Sequence, residues 1–126
     1  MNELITFAEY YGKILLKKEN KDDIELVERV YQCKLNGQVR KVVGHLTEDD
    51  LLLRGKIEFR LFSFNEVIDA EETYDFPFIE CRLLPLFDFY DNELICYDID
   101  SDYWVLFDCS DETKYGDEKN LFVIAN

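Results

Sequence analysis

The sequence predicts a single α+β domain over residues 1–126, with an antiparallel sheet of about five strands and helices on one face. Two patterns carry this expectation. Through residues 4–46 apolar side chains recur at three- and four-residue steps, the spacing of one helical face. From residue 57 onward, short strand-like runs are broken by turns of a few polar residues. Connections that short join antiparallel neighbours, because parallel strands need a long crossover. Helices segregated from such a sheet define the α+β class. The chain divides into an N-terminal helical segment (1–18), a helical pair (22–46) and a strand-rich part (57–125), without repeats or linkers.

Taken in order, Leu4, Phe7, Ala8, Tyr11, Ile14 and Leu15 form the first helical stripe, with Gly12 as the place where that helix ends or bends. After the polar run 17–23, Asp22 with Glu25 three residues later reads as an N-cap pair. Ile24, Val27, Val30 and Tyr31 follow as an apolar stripe, and Glu25 and Arg29 are spaced for an i, i+4 ion pair. Asn36-Gly37 makes a turn, and Val39, Val42, Val43 and Leu46 a third short helix with Arg40 and Lys41 outward. The texture changes after Asp50. Residues 57–62 alternate apolar and charged side chains, the mark of a half-buried strand. Ser63 and Glu66 form a capping box that opens a helix to about Glu72. Strands are then expected over 83–89, 94–99 and 103–109, a polar stretch over 110–120, and a last strand over 121–125.

Composition narrows the function classes. With 48% hydrophobic and 15% aromatic residues, 126 residues bury a core without disulfides or metal. No apolar run approaches the roughly 20 residues that cross a bilayer. Met1-Asn2-Glu3 lacks the features of a secretion signal, so a cytoplasmic location is expected. Cys33, Cys81, Cys96 and Cys109 show no close-spaced pair and are read as free thiols. The formal charge of −14 is lopsided: residues 1–56 carry ten acids and ten bases, residues 57–126 eighteen acids and four bases. Such a field repels nucleic acid and anionic lipid and draws a basic protein inward.

No cofactor, metal or catalytic site is expected. Asp98, Asp100 and Asp102 imitate the opening of a calcium loop, but Tyr103 and Cys109 stand where its glycine and bidentate glutamate belong. Aspartates capping a hairpin turn explain the run better. His45 follows a glycine near a helix end, where a cation suits the dipole. No nucleophile elbow, phosphate-cradling loop or dinucleotide fingerprint occurs among five glycines. A hydrolase would need a pocket joining His45 to several carboxylates. Between Phe87 and Asp108, aromatic residues interleave with aspartates. Tyr and Trp exposed beside carboxylates would suit a basic protein surface.

Three segments, quoted in order, carry a resemblance to a known family. Ile24-Glu-Leu-Val-Glu28 precedes Cys33-Lys-Leu-Asn-Gly-Gln-Val-Arg-Lys-Val-Val43; Arg60-Leu-Phe-Ser-Phe-Asn-Glu-Val-Ile68 follows. Last come Leu83-Leu-Pro-Leu-Phe-Asp88, Glu93-Leu-Ile-Cys-Tyr-Asp98 and Trp104. Across 24–109 this order resembles the SUKH superfamily, bacterial immunity proteins related to yeast cell-wall assembly regulators. Asn36 stands where that family has a proline, and the charged stretch 45–54 replaces its glycine-rich loop. The resemblance implies a non-enzymatic protein that binds and neutralises a cognate bacterial toxin, many such toxins being basic nucleases. Alternatively it implies a regulatory scaffold for endogenous partners, as in the fungal proteins. The charge asymmetry points to Asp88, Asp91, Asp98, Asp100, Asp102, Tyr103 and Asp108 as the contact set, with Glu71, Glu72 and Asp75 as a flanking patch. Oligomeric state is left open.

Overall fold

A computed structural model describes residues 3–48 and 51–125. Met1 and Asn2 of the opening, the Asp49-Asp50 step and Asn126 lie outside the described residues. The chain starts in strand β1 (Glu3–Thr6) and passes straight into helix α1 (Phe7–Leu16). Leu4 therefore belongs to a strand, although its spacing to Phe7 continues the helical stripe. Thr6 makes the switch: its hydroxyl accepts from the Glu9 amide at 3.1 Å, satisfying one of the donors a helix start leaves open. Phe7, Tyr10, Tyr11 and Ile14 are buried, and exposed Gly12 neither ends nor breaks the helix. Helix α2 (Lys21–Tyr31) opens at Asn20, not Asp22. The Asn20 carboxamide oxygen accepts from the Asp23 amide at 3.1 Å, which leaves Asp22 and Asp23 in the first turn, facing the positive end of the helix dipole. Glu25 and Arg29 are both exposed. Gly37 opens α3 (Gly37–Val43) at φ +62°, a conformation open to glycine at no steric cost.

The sheet holds seven strands in sequential order, not about five. Beyond β1 they are β2 (Leu51–Arg54), β3 (Glu58–Leu61), β4 (Leu83–Asp88), β5 (Glu93–Asp98), β6 (Tyr103–Asp108) and β7 (Thr113–Glu118). β2 lies in the charged stretch and pairs parallel with β1; every later pairing is antiparallel. β7 occupies what reads as a polar connection. As an edge strand exposed along nearly its whole length, it buries no side and needs no apolar alternation. The helix expected from Ser63 to Glu72 is two short ones, α4 (Phe64–Ile68) and α5 (Ala70–Tyr74), followed by α6 (Phe78–Cys81). The capping box is present: Ser63 Oγ accepts from the Glu66 amide and Glu66 Oε1 from the Ser63 amide. Glu66 also takes a two-pronged bond from Arg60 at 2.7 and 2.8 Å, locking β3 to α4. Residues 121–125 form helix α7 (Leu121–Ala125) rather than a strand. An apolar run of five has no period long enough to tell one from the other. Leu121 and Ala125 are buried one turn apart.

Helices cover both faces of the sheet, not one. Neighbouring strand residues point to opposite faces; Ile95 pairs with Phe87, and Leu94 with Phe107. Phe87 packs under Phe7 of α1 at 6.4 Å between rings, and Phe7 meets Phe122 of α7 at 4.9 Å. Phe107, on the other face, is covered by Phe76 and Phe78 at 4.6 and 5.4 Å. Leu94, Ile95, Cys96 and Tyr97 are consequently buried in succession. Tyr31 ties α2 to α4, its hydroxyl donating to the Val67 carbonyl at 2.8 Å.

Among the described residues, one buried side-chain polar atom has no hydrogen-bond partner, the Tyr10 hydroxyl. An unpaired buried hydroxyl costs about 1–3 kcal/mol, offset in part by the volume it fills. Tyr10→Phe is expected to leave stability unchanged or raise it by up to about 1 kcal/mol in urea unfolding. A clear loss would mean that the hydroxyl has a bonding role.

Candidate functional site

The strand meander sorts the acidic residues into two groups. In β4, β5 and β6 the bodies are apolar and carboxylates stand at strand ends or in turns: Asp88, Glu93, Asp98 and Asp108. Successive hairpin turns of a meander lie at opposite ends of the sheet. The β4–β5 turn (residues 89–92) and the β6–β7 turn (109–112) therefore share one end, called here the upper rim. The β5–β6 turn (99–102) lies at the lower rim, about 20 Å away for six-residue strands.

At the lower rim the carboxylates of the β5–β6 hairpin are taken up internally. Asp98 is only 5% exposed and accepts from the Lys114 ammonium on β7 and from the Ser101 amide. It has no surface to offer a partner and leaves the expected contact set. Asp100 pairs with Arg82 at 3.1 Å, and Arg82 also donates to the Tyr31 and Gln32 carbonyls, tying this turn to the end of α2. The Asp102 carboxylate accepts from the Tyr97 hydroxyl. The Tyr103 ring lies beneath the Lys119 ammonium at 5.4 Å. Of the flanking patch, Glu71 accepts from the Ile79 amide at 2.8 Å, whereas Glu72 and Asp75 are exposed on and just after α5.

The upper rim is different. Asp88, Asp91, Glu93, Asp108, Asp111 and Glu112 gather there, and among the described residues only Asp88 meets a base, Arg60 at 3.6 Å. Arg60 is already committed to Glu66. The two turns are bonded to each other, the Cys109 amide to the Asn92 carbonyl at 2.8 Å and the Asn92 side chain to Ser110 Oγ at 3.2 Å. Asp108 accepts from the Ser110 and Asp111 amides, so its own turn is internally braced. Mutual repulsion leaves a mark: burial and then the charges of Asp108 and Asp91 hold the Glu93 carboxyl above its ordinary range. Burial, then Asp108 and Asp88, likewise push up the Cys109 thiol. Tyr90, 61% exposed, stands beside Asp91 as an aromatic anchor. The β2–β3 turn bounds this field at the same end with exposed Arg54 and Lys56.

Of the sequence-expected contact residues, Asp88, Asp91 and Asp108 are thus brought together, and Asp98, Asp100, Asp102 and Tyr103 are not. Glu93, Asp111, Glu112 and Tyr90 complete the rim without having been singled out. Hairpin alternation was the available signal, since turns two apart share an end.

His45 is a strut: its ring nitrogens face the Lys41 and Lys17 carbonyls at 2.8 and 3.1 Å. Two clefts at the lower rim, of about 230 and 490 Å³, are lined without it. No group of three or more His, Cys, Asp or Glu among the described residues is placed to hold a metal ion, and no described helix is long and apolar enough to cross a membrane. No family model, curated protein or solved structure matches the chain.

Two predictions follow from the contrast between the rims. Lys114→Met strands a buried carboxylate; because Lys114 is itself half exposed, the expected loss is about 2 kcal/mol at neutral pH, below the usual cost of breaking a buried pair. The Asp98 bond holds the Lys114 ammonium above its ordinary 10.5, so this contribution is complete below that pH and fades as pH rises through the folded value. Urea unfolding of wild type and variant checks both statements. For Glu93 the pH slope has the same sign, but the substitution acts in the opposite direction at neutral pH. A carboxyl raised in the fold destabilises once ionised, so Glu93→Gln raises the urea midpoint at neutral pH and leaves it unchanged near about pH 3.5.

Proposed function

We propose that this domain is a non-enzymatic immunity protein that neutralises a cognate bacterial toxin by stoichiometric binding, with the upper rim as its docking surface. The observation that carries this reading is the rim itself: five carboxylates without a base partner among the described residues, on two cross-bonded turns, around an exposed Tyr90. A rigid, uncompensated negative surface has its repulsion relieved by a cationic one. Steering by such a field raises encounter rates, and a central aromatic supplies the short-range contact. A nuclease must present a basic face to its substrate, and an acidic plug on that face blocks substrate entry without any chemistry. The SUKH-like order of segments across residues 24–109 supports the same function. Such a surface suits a partner protein with a basic binding face.

The test uses the product of the adjacent reading frame, purified and titrated by stopped-flow or surface plasmon resonance. The association rate constant is expected to fall at least about tenfold between about 50 and 500 mM salt, with little change in dissociation. The pair Tyr90→Ala with Asp91→Asn is expected to weaken binding at least about tenfold, while Asp100→Asn at the lower rim leaves it intact. Salt-independent association, or loss of binding with Asp100→Asn alone, would contradict the reading.

A further inference from the structure

The end of α1 carries a surface that the fold does not use. Leu16 is 90% exposed and Leu15 52% exposed, beside exposed Lys17, Lys18 and Lys21. This corner is not a loose tail. The Lys17 carbonyl faces the His45 ring at 3.1 Å, and the Asn20 amide donates to the Gly44 carbonyl at 2.8 Å, pinning the connection to the end of α3. Glu19, within that lysine run, is taken up by Arg40 and Lys41 at 3.2 and 4.0 Å, while Asp22 and Asp23 stand beyond it in the first turn of α2. The result is a rigid apolar pair flanked directly by the exposed Lys17 and Lys18.

We propose that this corner docks on the acidic rim of a second copy, a head-to-tail contact that covers the rim until a basic ligand displaces it. The proposal rests on the rim being a docking surface. The complement is present in the same molecule: uncompensated carboxylates around an exposed Tyr90 at one end, lysines around exposed leucines at the other. α1 leaves β1 at the upper end, where Thr6 pairs with Arg54. Its ten residues run about 15 Å back across the sheet, which carries Leu16 away from the rim. A corner that meets the rim of the next copy head to tail makes a heterologous contact, which repeats as an open chain unless its rotation closes it. An anionic bilayer is the other surface that takes leucines among lysines. The net charge of −14 opposes it over a whole membrane face, whereas a local contact between two copies feels charges only within a screening length of about 8 Å at physiological salt.

Sedimentation velocity on the full chain tests this with two variants at exposed positions, Leu16→Asp with Lys18→Gln at the corner, and Tyr90→Ser with Asp91→Asn at the rim. Wild type is expected to grow from monomer toward longer chains between about 10 μM and 1 mM, the range of weak contacts, and to revert in high salt. Each variant alone stays monomeric. An equimolar mixture gives a one-to-one pair and nothing larger, because it holds one intact corner and one intact rim. Wild type that stays monomeric throughout, or a corner variant that still forms chains, overturns the proposal. So does corner-dependent binding of wild type to phosphatidylserine vesicles without self-association, which assigns the corner to lipid. If the corner variant binds the basic protein while wild type never self-associates, only self-docking fails. If wild type self-associates as described and binds no basic protein, the toxin-neutralising reading fails and the self-contact stands.

Discussion

Everything in this molecule is arranged around a strand with no wet side. β5 is buried from Leu94 to Asp98; of its neighbours, β4 is covered on one face by the ring of Phe7 and β6 on the other by those of Phe76 and Phe78. A half-buried antiparallel strand places acids on its outer face; here that outlet is closed. A carboxylate in β4, β5 or β6 can only stand at an end of the strand. The eighteen acids of residues 57–126 are concentrated at the two rims and on the α5–α6 segment, and a composition that looks diffuse in sequence becomes a polarised surface.

What separates the rims is the location of cations. Lys114 and Arg82 both serve the lower rim, one from the edge strand and one from the start of β4. Arg60, the base closest to the upper carboxylates, is held by Glu66 through a bidentate bond, and that bond raises its own pKa further. Glu66 in turn is fixed by the capping box of α4. A local requirement, the start of one short helix, thereby withdraws the positive charge that would have quenched the rim. Stability and binding capacity are coupled at that arginine.

The sequence disclosed local features well and long-range ones poorly. The helix stripes, the Ser63 capping box and three of the meander strands follow from spacing and turn chemistry within about ten residues. β2 was hidden because its four residues acquire meaning only when paired with β1, far away in the chain. β7 was hidden because an edge strand has no buried face to mark it, and α7 because five apolar residues have no period. The start of α2 was misread because Asn20, Asp22 and Asp23 are all competent caps, and packing chose among them. The same blind spot reached the site. The imbalance of charge was legible in the sequence, but without β7 nothing indicated that Lys114 would reach Asp98, and so the lower rim looked as available as the upper.

The account depends on the negative surface potential of the sheet being strongest at its upper rim. Titration of the isotope-labelled protein with a short oligolysine, followed by backbone amide shifts, measures this directly. Shifts confined to residues 88–93 and 108–112, with the 98–103 turn silent, are the result the account predicts. Shifts centred on 98–103, or scattered over the whole surface, would contradict it.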